Sequence, residues 1–166
     1  MKDFTEELRG KLGFGCMRLP KAYGNVDTQE FSRMVDAYLA AGFDYFDTAH
    51  GYIEGKSELA LRECLTSRYP RDKYFLVDKL SGSFLSKEED IVPFFENQLT
   101  ACGVEYFDLY LMHSQSVQVF EKFKKLRCYE TALKLKKQGK IRHFGISFHD
   151  TPQVLEQILT EYPQIE

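Results

Sequence analysis

Short apolar runs alternate along the chain with longer segments whose apolar residues recur every three or four positions. The short runs predict β-strands, and the longer segments predict amphipathic α-helices. The predicted strands cover residues 12–16, 43–48, 74–77, 107–112 and 141–147. The predicted helices follow at residues 31–39, 57–65, 90–102, 120–138 and 152–159. The pattern thus predicts five strand–helix units, and residues 163–166 are expected to begin a sixth.

Capping and turn residues mark several of the predicted helix boundaries. Asp27 and Glu30 have the spacing of a capping box at the start of the first helix, and Gly42 is expected to close that helix. Pro93 belongs in the first turn of the third helix, because proline is poorly tolerated further inside. Gly139 is expected to end the long fourth helix. These signals agree with the boundaries that the apolar pattern predicts.

The alternation of strands and helices predicts an α/β fold with a parallel sheet and right-handed crossovers. Two architectures are compatible with this pattern. One is a doubly wound open sheet, and the other is a (β/α)8 barrel, which normally takes about 250 residues. The chain has 166 residues, and this length alone favours the open sheet.

Composition and charge exclude several classes of protein. Hydrophobic residues make up 43% and charged residues 28% of the chain, which is typical of a globular domain. A net charge of -3 does not suit a nucleic-acid-binding protein, which needs clustered basic surface. No apolar run reaches the roughly 18 to 20 residues that span a bilayer, and the first ten residues lack a signal-peptide pattern. We therefore expect a cytoplasmic protein without a membrane or nucleic-acid partner.

The cysteines are interpreted as small buried apolar residues. None of the four stands in a CxxC pair, so neither a metal site nor a disulfide framework is expected. They are Cys16, Cys64, Cys102 and Cys128.

A polar or ionisable residue stands at or near the end of four consecutive predicted strands. These residues are Asp47, Lys79, His113 and Ser147, and Tyr52 follows Asp47 within a few positions. Both candidate architectures place their sites at the carboxyl ends of the strands. The sequence therefore predicts a pocket lined by these side chains.

Together, these groups could deliver a proton to a carbonyl oxygen. A phenol such as that of Tyr52 is a poor acid at pH 7, and a nearby ammonium makes proton donation by a phenol easier. A carboxylate such as that of Asp47 would hold Lys79 in place. His113 could orient a carbonyl oxygen by hydrogen bonding, and His50 is interpreted as a loop residue beside the site. The set is suited to carbonyl reduction.

Three segments together resemble the aldo-keto reductase family. Gly42–Ala49, followed by Tyr52 and Gly55–Glu58, is similar to the first signature of that family. Tyr106–His113 resembles its fourth strand, and Gly139–Ser147 resembles its fifth. The matches run in the right order from about residue 12 to the end of the chain. The resemblance implies a TIM (β/α)8-barrel type of fold instead of the open sheet, and NADP(H)-dependent reduction of an aldehyde or ketone, with NAD(H) as the alternative cofactor.

The resemblance also implies roles for individual residues. Tyr52 would be the general acid, assisted by Lys79, which would pair with Asp47. His113 would orient the carbonyl group of a small-molecule substrate. Hydride would pass from the nicotinamide to the carbonyl carbon, and the proton would come from Tyr52.

On the cofactor side, the resemblance assigns Asp47, Ser147 and His149, with Ser147 contacting the nicotinamide carboxamide. The family usually has Ser-Asn after the fifth strand, where this chain has Ser147-Phe148-His149. Phenylalanine cannot replace an amide donor and acceptor. The variant is similar to a bacterial subgroup that often carries a C-terminal ferredoxin-like iron-sulfur extension, for which these residues contain no ligands.

The matched segments correspond to about five of the eight units of a barrel. Residues 1–166 are therefore interpreted as the N-terminal portion of an aldo-keto reductase barrel domain. Five strands cannot close a barrel, and an unclosed sheet exposes two edges and apolar surface. Activity is expected to need the missing units. The alternative is a non-catalytic protein that self-associates or binds a partner through its open edges.

Overall fold

The computed structural model describes residues 4–166, so the first three of the ten residues that were searched for a signal-peptide pattern lie outside the described part. Residues 4–166 form seven strands. They are β1 (Gly13–Gly15), β2 (Lys21–Ala22), β3 (Asn25–Val26), β4 (Tyr45–Asp47), β5 (Phe75–Leu80), β6 (Phe107–Gln115) and β7 (Ile141–Phe148). The same residues form six α-helices, which are also numbered in chain order. They are α1 (Thr28–Ala40), α2 (Lys56–Leu61), α3 (Ile91–Cys102), α4 (Val117–Lys125), α5 (Cys128–Lys137) and α6 (Pro152–Glu161).

Strand order decides between the two predicted architectures. The main sheet has five parallel strands in the order β1-β4-β5-β6-β7, and β2 and β3 form a separate antiparallel hairpin. In the main sheet, each strand pairs with the strand of that sheet that precedes it in the chain, and successive strands lie further along the sheet towards the same edge. Right-handed crossovers then place every helix on the same face, as in a barrel, whereas a doubly wound sheet reverses direction. The open sheet favoured by length is therefore wrong, and the strands are five consecutive strands of a (β/α)8-type barrel.

The two faces of the sheet carry separate apolar clusters. The larger cluster joins the helices to residues such as Phe46, Leu76 and Tyr110. The smaller cluster lies on the opposite face, which is the interior face of a barrel. It consists of Phe75, Val77 and Leu109, with Tyr45, Leu111, Phe4 and Leu8 packed against it. Helices thus cover one face, and the N-terminal segment covers part of the other.

The N-terminal segment is held to the interior face by ring and ion-pair contacts. The ring of Phe4 packs 6.2 Å from that of Phe75 and 5.7 Å from that of His143. Glu7 accepts a 2.6 Å ion-pair hydrogen bond from Arg142. This segment, residues 4–8, closes the amino-terminal end of the sheet, at the opposite end of the strands from the polar side chains.

Most predicted elements are present, and four details differ. The predicted helix 120–138 is two helices, because Arg127 adopts a left-handed conformation with φ 56°. The β2–β3 hairpin, which turns at Tyr23 and Gly24, was not predicted. The capping box is half formed, since Asp27 accepts from the Glu30 N–H but its own N–H donates to Pro20.

The fourth difference lies at the strand ends. β6 continues past His113 to Gln115, and β5 continues to Leu80. Residues 163–166 do not form a strand, but the Glu166 N–H donates to the carbonyl of Phe144 on β7 at 2.9 Å. All four cysteines are buried, as predicted, and each is a free thiol in the structure.

Candidate active site

The predicted polar residues lie together at the carboxyl end of the sheet. Side chains two residues apart in a strand share a face. Asp47, Lys79 and His113 therefore share the interior face with Tyr45, Val77 and Leu111. Parallel pairing brings their strand ends to one edge, and Ser147 follows at the end of β7.

Lys79 is the centre of the arrangement. Its ammonium donates to Asp47 Oδ1 at 2.6 Å, to the carbonyl of Thr48 at 2.7 Å and to the Tyr52 hydroxyl at 3.2 Å. The Lys79 side chain is 5% exposed and that of Asp47 is 26% exposed. A buried ammonium is costly unless it is paired and hydrogen-bonded, and here all three donors have an acceptor. The ammonium is thus fixed beside the phenolic oxygen.

Tyr52 sits in a tightly turned loop between β4 and α2. Its N–H donates to the carbonyl of Ala49, and its carbonyl accepts from the N–H groups of Gly55 and Ser57. Ile53 and Glu54 have φ values of 52° and 57°. This left-handed region is unfavourable for a β-branched residue, and such strain is characteristic of functional loops. The loop therefore fixes the direction of the Tyr52 side chain at a local cost.

His113 lies beside Tyr52, with ring centroids 6.1 Å apart and an interplanar angle of 78°. A β-bulge follows it, since β6 has one extra residue relative to β7 between Met112 and Gln115. Ser114 in this bulge has φ 53°. The His113 Nδ1 is 2.7 Å from the Ser81 hydroxyl. Burial, and then the charges of Lys79 and His149, lower the pKa of His113 to about 4, so the ring is neutral at pH 7.

The lowered pKa of His113 predicts a specific acid sensitivity. Between its ordinary pKa of 6.5 and about 4, the unfolded chain takes up a proton at this position and the folded chain does not. Stability should therefore fall as the pH falls through this window. We expect a His113→Gln variant to lose less stability than the wild-type chain between pH 7.5 and pH 4.5 in urea titrations. A ring titration midpoint above pH 6, measured for His113 by NMR, would contradict this expectation.

The residues assigned to the cofactor lie along the same edge. The Ser147 hydroxyl accepts the N–H of Ser114 at 2.7 Å, and its own proton remains available as a donor. Asp47 keeps partial solvent access, and His149 is exposed beyond the end of β7. Phe148 is half-buried against the helix-side core, so it does not present its ring as a substitute for the missing amide. One hydroxyl, one imidazole and one partly exposed carboxylate therefore lie along this edge of the sheet.

A cavity of about 470 Å³ opens beside Tyr52 and His113. Its wall also contains Ser81, Phe84 and Lys122. The size and the mixture of apolar wall and convergent polar groups suit a small organic ligand.

Sequence reasoning missed several polar residues around the site. Ser81 holds His113, and it stands directly after β5, where a polar strand-end signal was present. His50 lies in a loop, as interpreted, but it also contacts a buried carboxyl group, since its Nδ1 lies 2.9 Å from Glu58 Oε2. Glu58 and Asp78 are buried behind the site, on the helix side of the sheet. Glu58 lies in a segment that resembles the family signature, but the resemblance gave it no role, and no sequence pattern singles out Asp78.

The strand order and the polar edge define a (β/α)8-barrel-type domain with its site at the carboxyl ends of the strands. The chain belongs to the aldo/keto reductase family, whose model matches residues 11–165. The predicted family is thereby confirmed. Within residues 4–166, no helix is long and apolar enough to cross a bilayer, and no group of three or more potential metal ligands was found.

Several known proteins are similar to this chain. Probable aldo-keto reductase 1 of Glycine max is 31% identical over 148 residues, which cover 82% of this chain and 41% of the relative. The aldo/keto reductase of Brucella melitensis is 27% identical with a TM-score of 0.67, covering 91% of this chain and 53% of that structure. An aldo/keto reductase of Klebsiella pneumoniae, solved with NADP and acetate, is 25% identical with a TM-score of 0.65; the match covers 87% of this chain and 48% of that structure. The chain thus spans about half the length of these relatives.

Proposed function

We propose that this chain carries the proton-delivering half of an NAD(P)H-dependent reductase that converts an aldehyde or ketone to an alcohol. The observation that carries the proposal is the Asp47–Lys79–Tyr52 contact beside a neutral His113. Membership of the aldo/keto reductase family supports the same reaction class. A single contact would be compatible with a structural role, but this set combines a proton donor, a cation that assists it and a neutral imidazole at one cavity.

The proton in this reaction comes from Tyr52. As a carbonyl carbon is reduced, negative charge develops on its oxygen, and the phenolic proton passes to that oxygen. The charge left on the phenolate is stabilised by the Lys79 ammonium, which is 3.2 Å from the hydroxyl. Asp47 and the Thr48 carbonyl hold the ammonium in this position and prevent it from turning towards solvent. Proton transfer therefore needs no movement of the cation.

His113 orients the carbonyl oxygen. A neutral imidazole donates through only one nitrogen, and the partner of the other nitrogen selects the tautomer. When the Ser81 hydroxyl donates to Nδ1, the proton is on Nε2, which is then the nitrogen free to face the cavity. We infer that Ser81 sets this tautomer. The substrate oxygen would then be held between the Tyr52 hydroxyl and the His113 N–H.

The cofactor in this proposal is NADP(H), with NAD(H) as the alternative. Bound nicotinamide supplies the hydride. Asp47, Ser147 and His149 would hold its polar end, with Ser147 donating to the carboxamide oxygen. The NADP bound to the Klebsiella pneumoniae reductase supports a nicotinamide cofactor in this family. The four free thiols agree with a reducing, cytoplasmic location.

A complete site also requires a closed barrel. We propose that residues 1–166 are the N-terminal portion of the barrel domain. Three further strand–helix units would complete the ring of eight. They would come either from further residues of the same polypeptide or from an associated chain that covers the open edges of β1 and β7. Because a separate chain could supply these three units, the arrangement can be tested by adding them as a second fragment.

The test of the proposed function is a complementation assay. The chain is purified alone and together with a fragment carrying the last three strand–helix units of the Brucella melitensis reductase. NADPH binding is followed by cofactor fluorescence, and aldehyde reduction by NADPH absorbance at 340 nm. We expect saturable NADPH binding and reduction in the complemented sample. If the two pieces form a folded complex that neither binds NADPH nor reduces any aldehyde, the proposal is wrong.

A further inference from the structure

Two carboxyl groups are buried together directly behind the candidate active site. Asp78 is 0% exposed and Glu58 is 1% exposed, and both lie on the helix side of the sheet. The neighbouring Lys79 ammonium forms its ion pair with Asp47 on the opposite face, and its charge only partly offsets the burial of Asp78. In the described part of the chain, Asp78 forms no ion pair and Glu58 pairs only with His50. Two carboxylates with so little compensating charge are expected to retain a proton between them.

The geometry agrees with a shared proton. Both carboxyl groups accept from one amide nitrogen, that of Gln98, which lies 2.9 Å from Asp78 Oδ1 and 3.2 Å from Glu58 Oε1, so the two acids are held close together. Burial, followed by the charge of Glu58, raises the pKa of Asp78 well above its ordinary value. The pair resembles other close carboxyl pairs, in which like charges prevent both groups from ionising.

Gln98 of α3 hydrogen-bonds to both carboxyl groups of this pair. The Tyr110 hydroxyl donates to the Gln98 side-chain oxygen, which fixes the orientation of the amide. The amide nitrogen is then directed at three acceptors. They are Asp78 Oδ1 at 2.9 Å, the Lys79 carbonyl at 3.1 Å and Glu58 Oε1 at 3.2 Å. The two N–H groups of this amide are shared among the three acceptors, so the amide contacts both carboxyl groups and the backbone of Lys79.

Side chains of this cluster form the hydrogen bonds that a neighbouring strand would otherwise form with the backbone of Lys79. Asp47, the last residue of β4, is in register with Val77, so β4 ends before it reaches Lys79. Lys79 instead donates its N–H to the Asp78 carboxyl group at 2.7 Å, and its carbonyl accepts from Gln98. The backbone of the residue that carries the ammonium is therefore positioned by side chains behind the sheet.

A second connection leads from the pair to the Tyr52 loop. His50, two residues before Tyr52, is held at 2.9 Å by Glu58 Oε2. Its ring also packs on Phe84 and Phe94, with centroids 4.9 and 5.0 Å away. The backbone of Lys79 and the loop that carries Tyr52 are thus both hydrogen-bonded to the same pair of buried carboxyl groups.

We propose that Glu58 and Asp78, sharing one proton and clamped by Gln98, are positioning residues that set the Lys79–Tyr52 geometry. The consequence for catalysis rests on the proposed function, but the positioning itself does not. Titratable or charged groups from several elements face the pair. They are His50 of the loop, Cys16 next to β1, Lys79 of β5, Cys102 of α3 and Tyr110 of β6.

The first experiment compares thermal melting of the wild-type chain and an Asp78→Asn variant across pH 4 to pH 8. Because the pKa of Asp78 is raised by folding, its contribution to stability is lost as the pH rises from about 4. Asparagine does not titrate, and its amide can donate to Glu58. We therefore expect equal melting at pH 4 and a variant that melts about 4 °C higher at pH 8.

Two further variants keep the melting experiment decisive. Glu58→Gln should show the same trend if Asp78→Asn fails to fold, since either amide replaces the shared proton. The exposed Asp72→Asn is the matched control and should show no such trend. A pH-independent difference for both amide variants, or lower melting of both at pH 8, would overturn the shared proton.

The second experiment tests positioning without requiring turnover. The Tyr52 ring resonance is assigned by its loss in Tyr52→Phe and is then followed by NMR in two variants. Asp78→Asn retains an oxygen that can accept the Lys79 N–H, whereas Asp78→Ala does not. We expect the Tyr52 resonance to stay in place in the first and to shift in the second, with sheet resonances retained. An unshifted resonance in folded Asp78→Ala would refute the positioning role, and it would leave the proposed reductase activity untouched.

Discussion

Replacing Tyr52 with phenylalanine is expected to lower carbonyl reduction by about 10²- to 10⁴-fold, the usual contribution of a positioned general acid. The ring and its packing remain, but no proton donor faces the carbonyl oxygen and the Lys79 ammonium loses one acceptor. NADPH affinity should change little, because the hydroxyl belongs to the proton-delivering side of the site. The measurement is NADPH oxidation at 340 nm in the complemented sample, with fluorescence titration for binding.

A matched control is available in Tyr23, which is fully exposed in the turn of the β2–β3 hairpin. Tyr23→Phe removes the same hydroxyl group far from the predicted donor set and should leave the rate unchanged. Wild-type turnover in Tyr52→Phe would exclude Tyr52 as the proton donor. Equal loss in both variants would indicate a general effect of the substitution on the fold.

Removing Asp47 is expected to destabilise the fold by about 3 kcal/mol, because a buried ammonium then loses its counter-charge. Lys79 has no other carboxylate within ion-pair distance among the residues that the structure describes. In Asp47→Ala the ammonium keeps only the Thr48 carbonyl and the Tyr52 hydroxyl. The free energy of unfolding, measured by urea titration at pH 7, gives the effect directly.

A double-mutant cycle separates the pair from its individual members. Lys79→Met removes the charge and retains an unbranched apolar side chain, so Asp47→Ala combined with Lys79→Met leaves no unpaired ammonium. We expect the double variant to be more stable than the sum of the two single losses predicts. Strict additivity would show that the 2.6 Å contact contributes no coupling energy.

The fold could be predicted as far as local pattern and resemblance reach. Apolar runs located the five main strands, and helical spacing of apolar residues located most helices, since these elements bury apolar side chains in the core. Chain length favoured the wrong architecture, because length carries no information on the order of strands. The segments around Gly42–Ala49 and Tyr106–His113 corrected it. Sequential pairing of β1, β4, β5, β6 and β7 then confirmed the barrel type.

The helix break and the β-bulge depend on backbone conformations that the residue types do not predict. Arg127 interrupts a continuous helical pattern with a left-handed φ, where neither glycine nor proline marks a break. Ser114 forms the bulge beside His113 in the same manner. A single sequence gives no direct signal for them.

The candidate site was predictable because its residues stand near strand ends or in the loop that follows one, and a parallel sheet collects these positions at one edge. Asp47, Lys79 and Tyr52 are thereby brought into contact, whereas their catalytic roles stay predictions. Asp78 was not recognised, although it adjoins Lys79 in sequence. Alternation in a strand sends the two side chains to opposite faces, and only the structure shows that the rear face contains a second carboxyl group.

The docking of residues 4–8 on the interior face has a consequence for the order of folding. Strand pairs such as Gly13 with Tyr45, or Phe107 with Ile141, join residues roughly 30 positions apart, so each closes a loop of modest entropy. The contact between Glu7 and Arg142 spans 135 positions, so it closes a much longer loop and needs β7 to be in place. Among residues 4–166, we therefore expect the N-terminal segment to complete its contacts only after β7 has joined the sheet.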